Sequence, residues 1–206
     1  EELEAAKIAV QLVREGKADI PMKGILQTSN FARAILNRET GLIPASGRRL
    51  VSQCGIFEYE GRFIMITDAA ININPDVETQ IGIVENALPV AKALGNDCPK
   101  VAVLSAVENV TEKMASTVTA AEIAKRGVPG CIISGPLALD GAISMESVKH
   151  KAIHDPVAGQ ADILLVPFIE IGNVLYKACT YIAGKTMAST ICGASCPVVI
   201  TSRADT

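Results

Sequence analysis

Polar and cationic side chains follow three strand-like runs of the sequence, at places where a glycine or a hydroxyl residue allows the chain to turn. In an α/β sheet, ligands bind beyond the carboxyl ends of the strands, where helix N-termini and guanidinium groups hold anions. The pattern therefore indicates a site for an anionic substrate, although each segment alone also fits an ordinary helix start with solvated side chains. The three segments are Lys23-Gly24 with Thr28, Ser29 and Arg33; Gly172-Asn173 with Tyr176 and Lys177; and Thr201-Ser202-Arg203.

The metal-binding and nucleotide-binding motifs of the sequence are incomplete. His150 and His154 lie four residues apart on a predicted helix, but without the glutamate of a zinc-protease motif, two surface histidines are the simpler interpretation. No Gly-x-Gly-x-x-Gly follows a strand, and the Gly184-Lys185-Thr186 segment has Cys179 where a P-loop needs its first glycine. We therefore expect neither a metal nor a bound cofactor.

The composition is that of an apolar, mildly acidic globular protein. Of its 206 residues, 49% are hydrophobic and 20% are charged, which excludes disorder, and the apolar runs are far shorter than the ~20 residues of a membrane span. With 19 basic against 22 acidic residues, and with only four Phe and three Tyr, the chain has no nucleic-acid footprint. Six cysteines without a Cys-x-x-Cys pair favour reduced thiols and a cytoplasmic location.

Helical and strand-like patterns alternate along the chain, which is typical of an α/β fold with a mainly parallel sheet. Residues 50–57 and 62–66 predict a hairpin, and Asp76 is expected to cap a long helix to Leu94 that contains Pro89. Since the chain begins inside a helical pattern and stops after a strand-like run, we expect an internal piece of a longer protein. The other predicted helices cover residues 1–15, 28–38, 111–126, 144–153 and 173–183, and the other predicted strands cover residues 18–22, 101–105, 131–134, 163–166 and two short runs near Ile191 and Ile200.

Five motifs occur in an order that resembles the phosphate acetyl/butyryltransferase family, across essentially the whole chain. Residues 135–140 and 202–205 are similar to the butyryl branch rather than to the acetyl branch. The five motifs are Ala18-Asp19-Ile20-Pro21-Met22-Lys23-Gly24; Thr28 with Ala32-Arg33; Asp68 with Asn72 and Asn74-Pro75; Gly172-Asn173-Val174-Leu175-Tyr176-Lys177; and Pro197 with Ser202-Arg203.

The resemblance implies a reversible exchange, in which an acyl-CoA and phosphate give an acyl phosphate and CoA through a ternary complex. It also implies a fold like that of isocitrate and isopropylmalate dehydrogenases, with two three-layer α/β/α domains and a cleft between them, usually in a homodimer. Residues 1–46 and 197–206 would belong to the first domain and residues 47–196 to the second. Coenzyme A would be a substrate rather than a resident cofactor, and no metal would be needed.

By motif match, Ser202 would hold the sulfur of CoA, and Arg203 and Arg33 would hold the phosphate. Asn173 and Lys177 are one helical turn apart and could face one ligand. In the family a carboxylate takes the thiol proton; Asp205 is one candidate, but its spacing from Ser202 differs, and the counterpart could also lie beyond Thr206. The other residues that we expect to contact substrate are Thr28, Ser29, Tyr176 and Asp140.

Three other functions remain open at this point. The acetyl branch differs from the butyryl branch only by the acyl chain, which the sequence does not determine, since a methylene changes binding by only about 1–3 kcal/mol. An NAD-dependent hydroxy-acid dehydrogenase of the same fold would need clustered metal-binding aspartates, and the spacing of Asp68, Asp76, Asp140 and Asp155 gives no such cluster. The third alternative is a fragment that binds CoA without catalysing a reaction.

Overall fold

The computed structural model describes residues 1–44 and 49–200. The helices in this part of the chain are α1 (Glu2–Arg14), α2 (Thr28–Ile35), α3 (Val77–Ala93), α4 (Ala115–Arg126), α5 (Leu139–Ile143), α6 (Met145–Lys151) and α7 (Ile169–Lys177), which continues into a π-helical turn (Ala178–Ile182). The strands are β1 (Met22–Lys23), β2 (Ser52–Tyr59), β3 (Arg62–Thr67), β4 (Lys100–Leu104), β5 (Ile132–Leu137), β6 (Ile163–Leu165), β7 (Met187–Cys192) and β8 (Val198–Ile200).

The described strands form one sheet in the order β1-β8-β7-β2-β3-β6-β4-β5. Strands β3, β6, β4 and β5 are parallel, as expected for strands that helices connect. Strands β8, β7, β2 and β3 are antiparallel, and β1 pairs in parallel with β8 at the edge. The sheet is therefore mixed: four of the seven pairings between described strands are parallel, and the β2–β3 hairpin and strand β7 supply the antiparallel ones.

Alternating apolar residues on the parallel strands bury both faces of the sheet. Val101 and Val103 of β4 belong to a core with Ile83 of α3 and Ile123 of α4. Their neighbours Ala102 and Leu104 belong to a second core, which includes Ala142 of α5. Because successive side chains of a strand point to opposite faces, helices cover this part of the sheet on both sides. The predicted α/β class with helices on both faces of a sheet is confirmed.

A third core joins the two ends of the described chain. Ala6 of α1 and Phe31 of α2 pack in one cluster with Ile191 of β7 and Val198 of β8. Helices α1 and α2 therefore cover the β1–β8–β7 end of the sheet. The division into one domain of residues 1–46 and 197–206 and another of residues 47–196 stays a prediction.

Most local predictions agree with the structure, and the differences include the lengths of strand β1 and helix α2. Asp76 caps α3 by accepting a hydrogen bond from the Thr79 N–H at 2.8 Å, and α3 runs through Pro89. Strand β1 has only two residues, and α2 ends at Ile35 instead of about Arg38. In the described residues, no helix is both long enough and apolar enough to cross a membrane.

Candidate functional site

A cavity of about 180 Å³ opens between the start of α2, strand β2, the loop after β3 and helix α7. We call it the cleft. Four residues singled out in the sequence meet there, although the chain separates the first from the others by some 145 residues or more. The lining residues are Thr28, Gln53, Ala69, Ala70, Asn173, Tyr176, Lys177, Thr180, Tyr181, Ser189 and Ile200.

Helix α7 and the turn that follows it supply one wall of the cleft. Asn173 and Lys177 are one turn apart and both line the cleft, as the spacing predicts for residues on one helix face. The Asn173 side chain donates a hydrogen bond to the Ala69 carbonyl at 3.3 Å, which fixes α7 to the opposite wall. The Lys177 side chain is exposed, so its ammonium group is accessible to an anion in the cleft.

Gly172 is the residue that lets α7 approach the loop after β3. A Cβ atom at this position would lie 2.7 Å from the Asp68 carbonyl oxygen and 2.9 Å from the Ala69 Cα. The sequence pattern predicts a turn at Gly172 and a helix start at Asn173, and this prediction is wrong: α7 begins at Ile169, after Phe168 at the N-cap position. The glycine is needed for close packing inside the helix, not for a turn before it.

Gln53 forms the floor of the cleft and was missed by the sequence analysis. Its side chain is only 3% exposed. The amide nitrogen donates to Ser189 Oγ at 2.6 Å, and the amide oxygen accepts from the Ala69 N–H at 3.3 Å. Gln53 thus ties strand β7 to the loop after β3. The signal that could have identified it is a long polar side chain near the start of a mostly apolar strand.

Asp68 holds the loop that carries Ala69 and Ala70. Its carboxylate accepts hydrogen bonds from the backbone N–H groups of Ala70, Ile71 and Asn72 at 2.9–3.1 Å, and from the Asn72 side chain at 2.6 Å. Burial raises the pKa of Asp68, and these hydrogen bonds act in the opposite direction. The hydrogen bonds of this carboxylate therefore go to its own loop. None of the described residues that line the cleft is acidic.

The start of α2 differs from the predicted hydroxyl-capped anion site. Gln27 is at the N-cap position, and no side chain at that position caps the helix. Instead the Glu2 carboxylate of α1 accepts from the Gln27 N–H at 3.1 Å and from the Asn30 side chain at 2.9 Å. A negative charge already occupies this helix end. Thr28 lines the cleft, whereas Ser29 and Arg33 are exposed residues outside its lining.

Asp140 lies away from the cleft lining, at the start of α5. Its carboxylate forms an ion pair with Lys151 at 2.9 Å, and Lys151 also pairs with Glu108 at 3.0 Å. The hydrogen bond with Lys151 lowers the pKa of Asp140. Both partners are substantially exposed, so the geometry gives Asp140 a surface ion pair rather than a contact in the cleft.

Three predicted residues, Ser202, Arg203 and Asp205, lie outside the described residues. Ile200 lines the cleft, and Ser202 and Arg203 follow it by two and three positions in the sequence. Within residues 1–44 and 49–200, no group of three or more His, Cys, Asp or Glu side chains could hold a metal ion.

Comparison with known proteins identifies the chain, with its mixed α/β sheet and its cleft, as an acyltransferase. The chain belongs to the phosphate acetyl/butaryl transferase family, whose family model matches residues 2–206. A phosphate butyryltransferase from Clostridium acetobutylicum is 46% identical over 207 residues, covering 98% of this chain and 68% of that protein. The chain spans about two thirds of the length of the curated relatives it matches.

Solved structures agree with the family and with the fold. A branched-chain phosphotransacylase from Enterococcus faecalis V583 superposes with a TM-score of 0.89 at 42% identity, covering 98% of this chain and 73% of that one. A 4-hydroxythreonine-4-phosphate dehydrogenase from Klebsiella pneumoniae has a TM-score of 0.53 at 12% identity, covering 97% of this chain and 61% of that one. The second similarity concerns the fold alone, and it supports the prediction of a dehydrogenase-like fold.

Proposed function

We propose that the protein exchanges CoA and phosphate on a short-chain acyl group, converting butyryl-CoA and phosphate into butyryl phosphate and CoA. The observation that carries this proposal is the cleft itself. Thr28, Asn173, Tyr176 and Lys177 come from two of the motifs that match the family, and they line one cavity that ends at Ile200. The next residues in the sequence, Thr201-Ser202-Arg203, include the end of the fifth motif, Pro197 with Ser202-Arg203.

The chemistry explains why a cation and several hydrogen-bond donors are needed there. In the direction that consumes butyryl phosphate, the CoA thiol loses its proton to a base and its sulfur attacks the carbonyl carbon. The C–S bond forms, the C–O bond to phosphate breaks, and phosphate leaves with the bonding electron pair. Negative charge develops first on the carbonyl oxygen and then on the departing phosphate, and fixed donors stabilise such charge by about 3–4 kcal/mol each.

We assign the phosphate end of the substrate to Lys177 and Arg203. Arg33, which the motif match predicts for the same role, is exposed outside the cleft lining and is not part of this assignment. Lys177 is an exposed cation on the cleft wall, and Asn173 beside it is held by Ala69. Thr28 faces them from the start of α2 with a hydroxyl group that can donate to an anion. Tyr176 offers an apolar ring on the same wall, which suits the acyl chain.

The base that accepts the thiol proton is the remaining assignment. A free thiol has a pKa near 8.5, so at neutral pH a base must increase the thiolate fraction. The described lining of the cleft holds no carboxylate, and Asp68 is committed to its loop. This supports a base from outside the described residues, with Asp205 as the candidate that the chain itself contains, and Ser202 as the group that positions the sulfur.

The test is the release of free thiol from butyryl-CoA by the protein that contains this chain, with and without phosphate. Release that requires phosphate and is faster with butyryl-CoA than with acetyl-CoA is the expected result. Faster release with acetyl-CoA would favour the phosphate acetyltransferase function instead. Without release from either thioester, the acyltransferase function fails, and CoA binding by itself or NAD-dependent oxidation of a hydroxy acid would be examined next.

The proposal includes the setting in which the enzyme works. Acyl-CoA, CoA, acyl phosphate and inorganic phosphate are its small-molecule partners, and we propose a cytoplasmic homodimer without a resident cofactor. A second copy of the chain is expected from the resemblance of the sequence to its family, and sedimentation velocity of the purified protein tests it.

A further inference from the structure

Three arginines converge on a second cavity of about 260 Å³ at the end of the molecule that carries α1 and α2. They are Arg14, the last residue of α1; Arg38, in the turn after α2; and Arg49, which precedes β2. We call this cavity the arginine pocket. Among the described residues, it has no lining residue in common with the cleft.

The backbone around Arg38 is fixed, so its side chain is presented by a rigid turn. The Asn37 side-chain oxygen accepts hydrogen bonds from the N–H groups of Glu39 and Thr40, both at 2.9 Å. Gly41 donates to the Asn37 carbonyl at 2.9 Å, and a Cβ on Gly41 would lie 2.3 Å from the Ile35 carbonyl oxygen. The turn therefore packs directly against the end of α2.

The two sides of the pocket are also held in place. Arg14 donates from Nη1 to the Glu39 carbonyl at 2.7 Å, which leaves the other N–H groups of its guanidinium for a further acceptor. Opposite, the N–H of Ser195 in the β7–β8 connection donates to the Leu42 carbonyl at 2.7 Å. The pocket thus joins α1, the turn after α2 and the approach to β8.

The described lining of the pocket carries more cationic than anionic residues. It contains three arginines and one carboxylate residue, Glu39, and since Arg49 has an interaction of its own, Arg14 and Arg38 are the cations available to a ligand. Arg38 has no hydrogen bond or ion pair with any residue of the described chain. Arg14 and Arg38 come from two separate segments, and a bound anion relieves the repulsion between their like charges.

We propose that the arginine pocket binds an anion that carries a phosphate group, at a site separate from the cleft. The planar fork of a guanidinium matches two phosphate oxygens at once, and the volume exceeds that of a phosphate group with its first waters. Binding would tie α1 and the turn after α2 to the segment that leads into β8. The proposed site does not depend on the acyl exchange, and the two proposals are tested separately.

Calorimetric titration with inorganic phosphate in a chloride buffer tests the proposal in a Lys177→Gln background, which weakens phosphate binding in the cleft. The added change Arg38→Gln is expected to raise the Kd for phosphate by about tenfold or more, since it removes a charge-assisted contact. Arg38 has no partner in the described chain, so its loss should leave the thermal unfolding temperature in chloride unchanged. A second titrant, glycerol 3-phosphate, separates the two sources: tighter binding than inorganic phosphate assigns the pocket to a phosphate ester, and weaker binding assigns it to the free ion.

The matched control is Arg126→Gln, which removes the same charge from the end of α4, where Arg126 pairs with Glu122 at 2.8 Å. Made in the same Lys177→Gln background, this variant should bind phosphate with the same Kd as the Lys177→Gln protein. An equal loss of affinity in the Arg126 and Arg38 variants would mean that only net charge matters and would overturn the proposal. Absence of phosphate binding in the Lys177→Gln protein would overturn it as well, whatever the result of the thiol-release assay.

Discussion

The ring of Tyr176 packs directly on Gly55 of strand β2: a Cβ atom on Gly55 would lie 2.6 Å from Tyr176 Cδ2 and 2.7 Å from Cε2. No ordinary contact between a Cβ and a ring carbon is so short, so an alanine at position 55 must displace the ring. Because Tyr176 lines the cleft, the size of residue 55 sets how deep the ring can sit in the cleft wall.

Gly55→Ala is therefore expected to push the Tyr176 ring outward into the cleft. Overpacking of this kind lowers the free energy of unfolding by about 1–3 kcal/mol, and the narrowed cleft should raise the KM for the acyl substrate. Urea unfolding and steady-state kinetics measure the two effects. Gly24→Ala is the control for the unfolding measurement, because a Cβ on Gly24 has no atom within 4 Å. Unchanged kinetics in Gly55→Ala would remove Tyr176 from the substrate contacts.

Replacing Lys177 by Gln should weaken phosphate binding without unfolding the protein. The side chain is exposed and lies on the cleft wall, so its loss removes a cation that attracts the phosphate and leaves the packing intact. We expect the KM for phosphate to rise about tenfold, as for the loss of one charge-assisted contact. Lys113→Gln, at an exposed position before α4, should behave like the unmodified protein. Equal KM values in both variants would place Lys177 outside the site.

Arg203→Ala tests the motif that follows Ile200. If Arg203 stabilises charge on the phosphoryl group, its loss should cost at least about two orders of magnitude in rate, on the scale of about 3 kcal/mol. Ser202→Ala should reduce the rate while leaving the unfolding temperature unchanged, since the proposed role of the hydroxyl is to position the sulfur. A near-normal rate for Arg203→Ala, or an unfolded Ser202→Ala protein, would contradict these roles.

Cys131 should make the protein less stable at high pH. Burial raises the pKa of this thiol from 9.0 to about 11, with a smaller contribution from Cys98. Between these values the folded state binds more protons than the unfolded state, so the free energy of unfolding falls as the pH rises from 9 to 11. In Cys131→Ala this decline should become shallower, whereas the exposed Cys98 should tolerate the same change. Urea unfolding at pH 8 to 11 gives the slopes, and identical slopes for all three proteins would refute the assignment.

Features that depend on neighbouring residues were predictable from the sequence. The hairpin is one: Tyr59 pairs with Arg62, and the two residues between them both have positive φ, as in a tight two-residue turn. The Asp76 cap is another, because its hydrogen-bond partner is only three residues away. In the candidate site the same holds for Asn173 and Lys177, whose common orientation follows from helical spacing.

Features that depend on distant contacts were not predictable. Gln53 donates a hydrogen bond to Ser189, 136 positions away, and no residue near Gln53 in the sequence predicts this partner. Glu2 reaches the start of α2 across 25 residues and replaces the hydroxyl caps that the local pattern favours. The local sequence around Gly172 is typical of a turn, whereas in the structure the glycine allows the loop after β3 to pack against α7. In each case tertiary packing overrides local preference.

The pairing of Met22 with Val199 at the edge of the sheet has a consequence for folding. This contact closes a segment of more than 170 residues, so it depends on one of the longest-range encounters in the chain, and such encounters form slowly. During synthesis, β1 cannot pair until β8 has left the ribosome. The α2 side of the cleft is therefore completed only after that. The parallel strands β3 to β6 can assemble earlier, and the cleft is completed last.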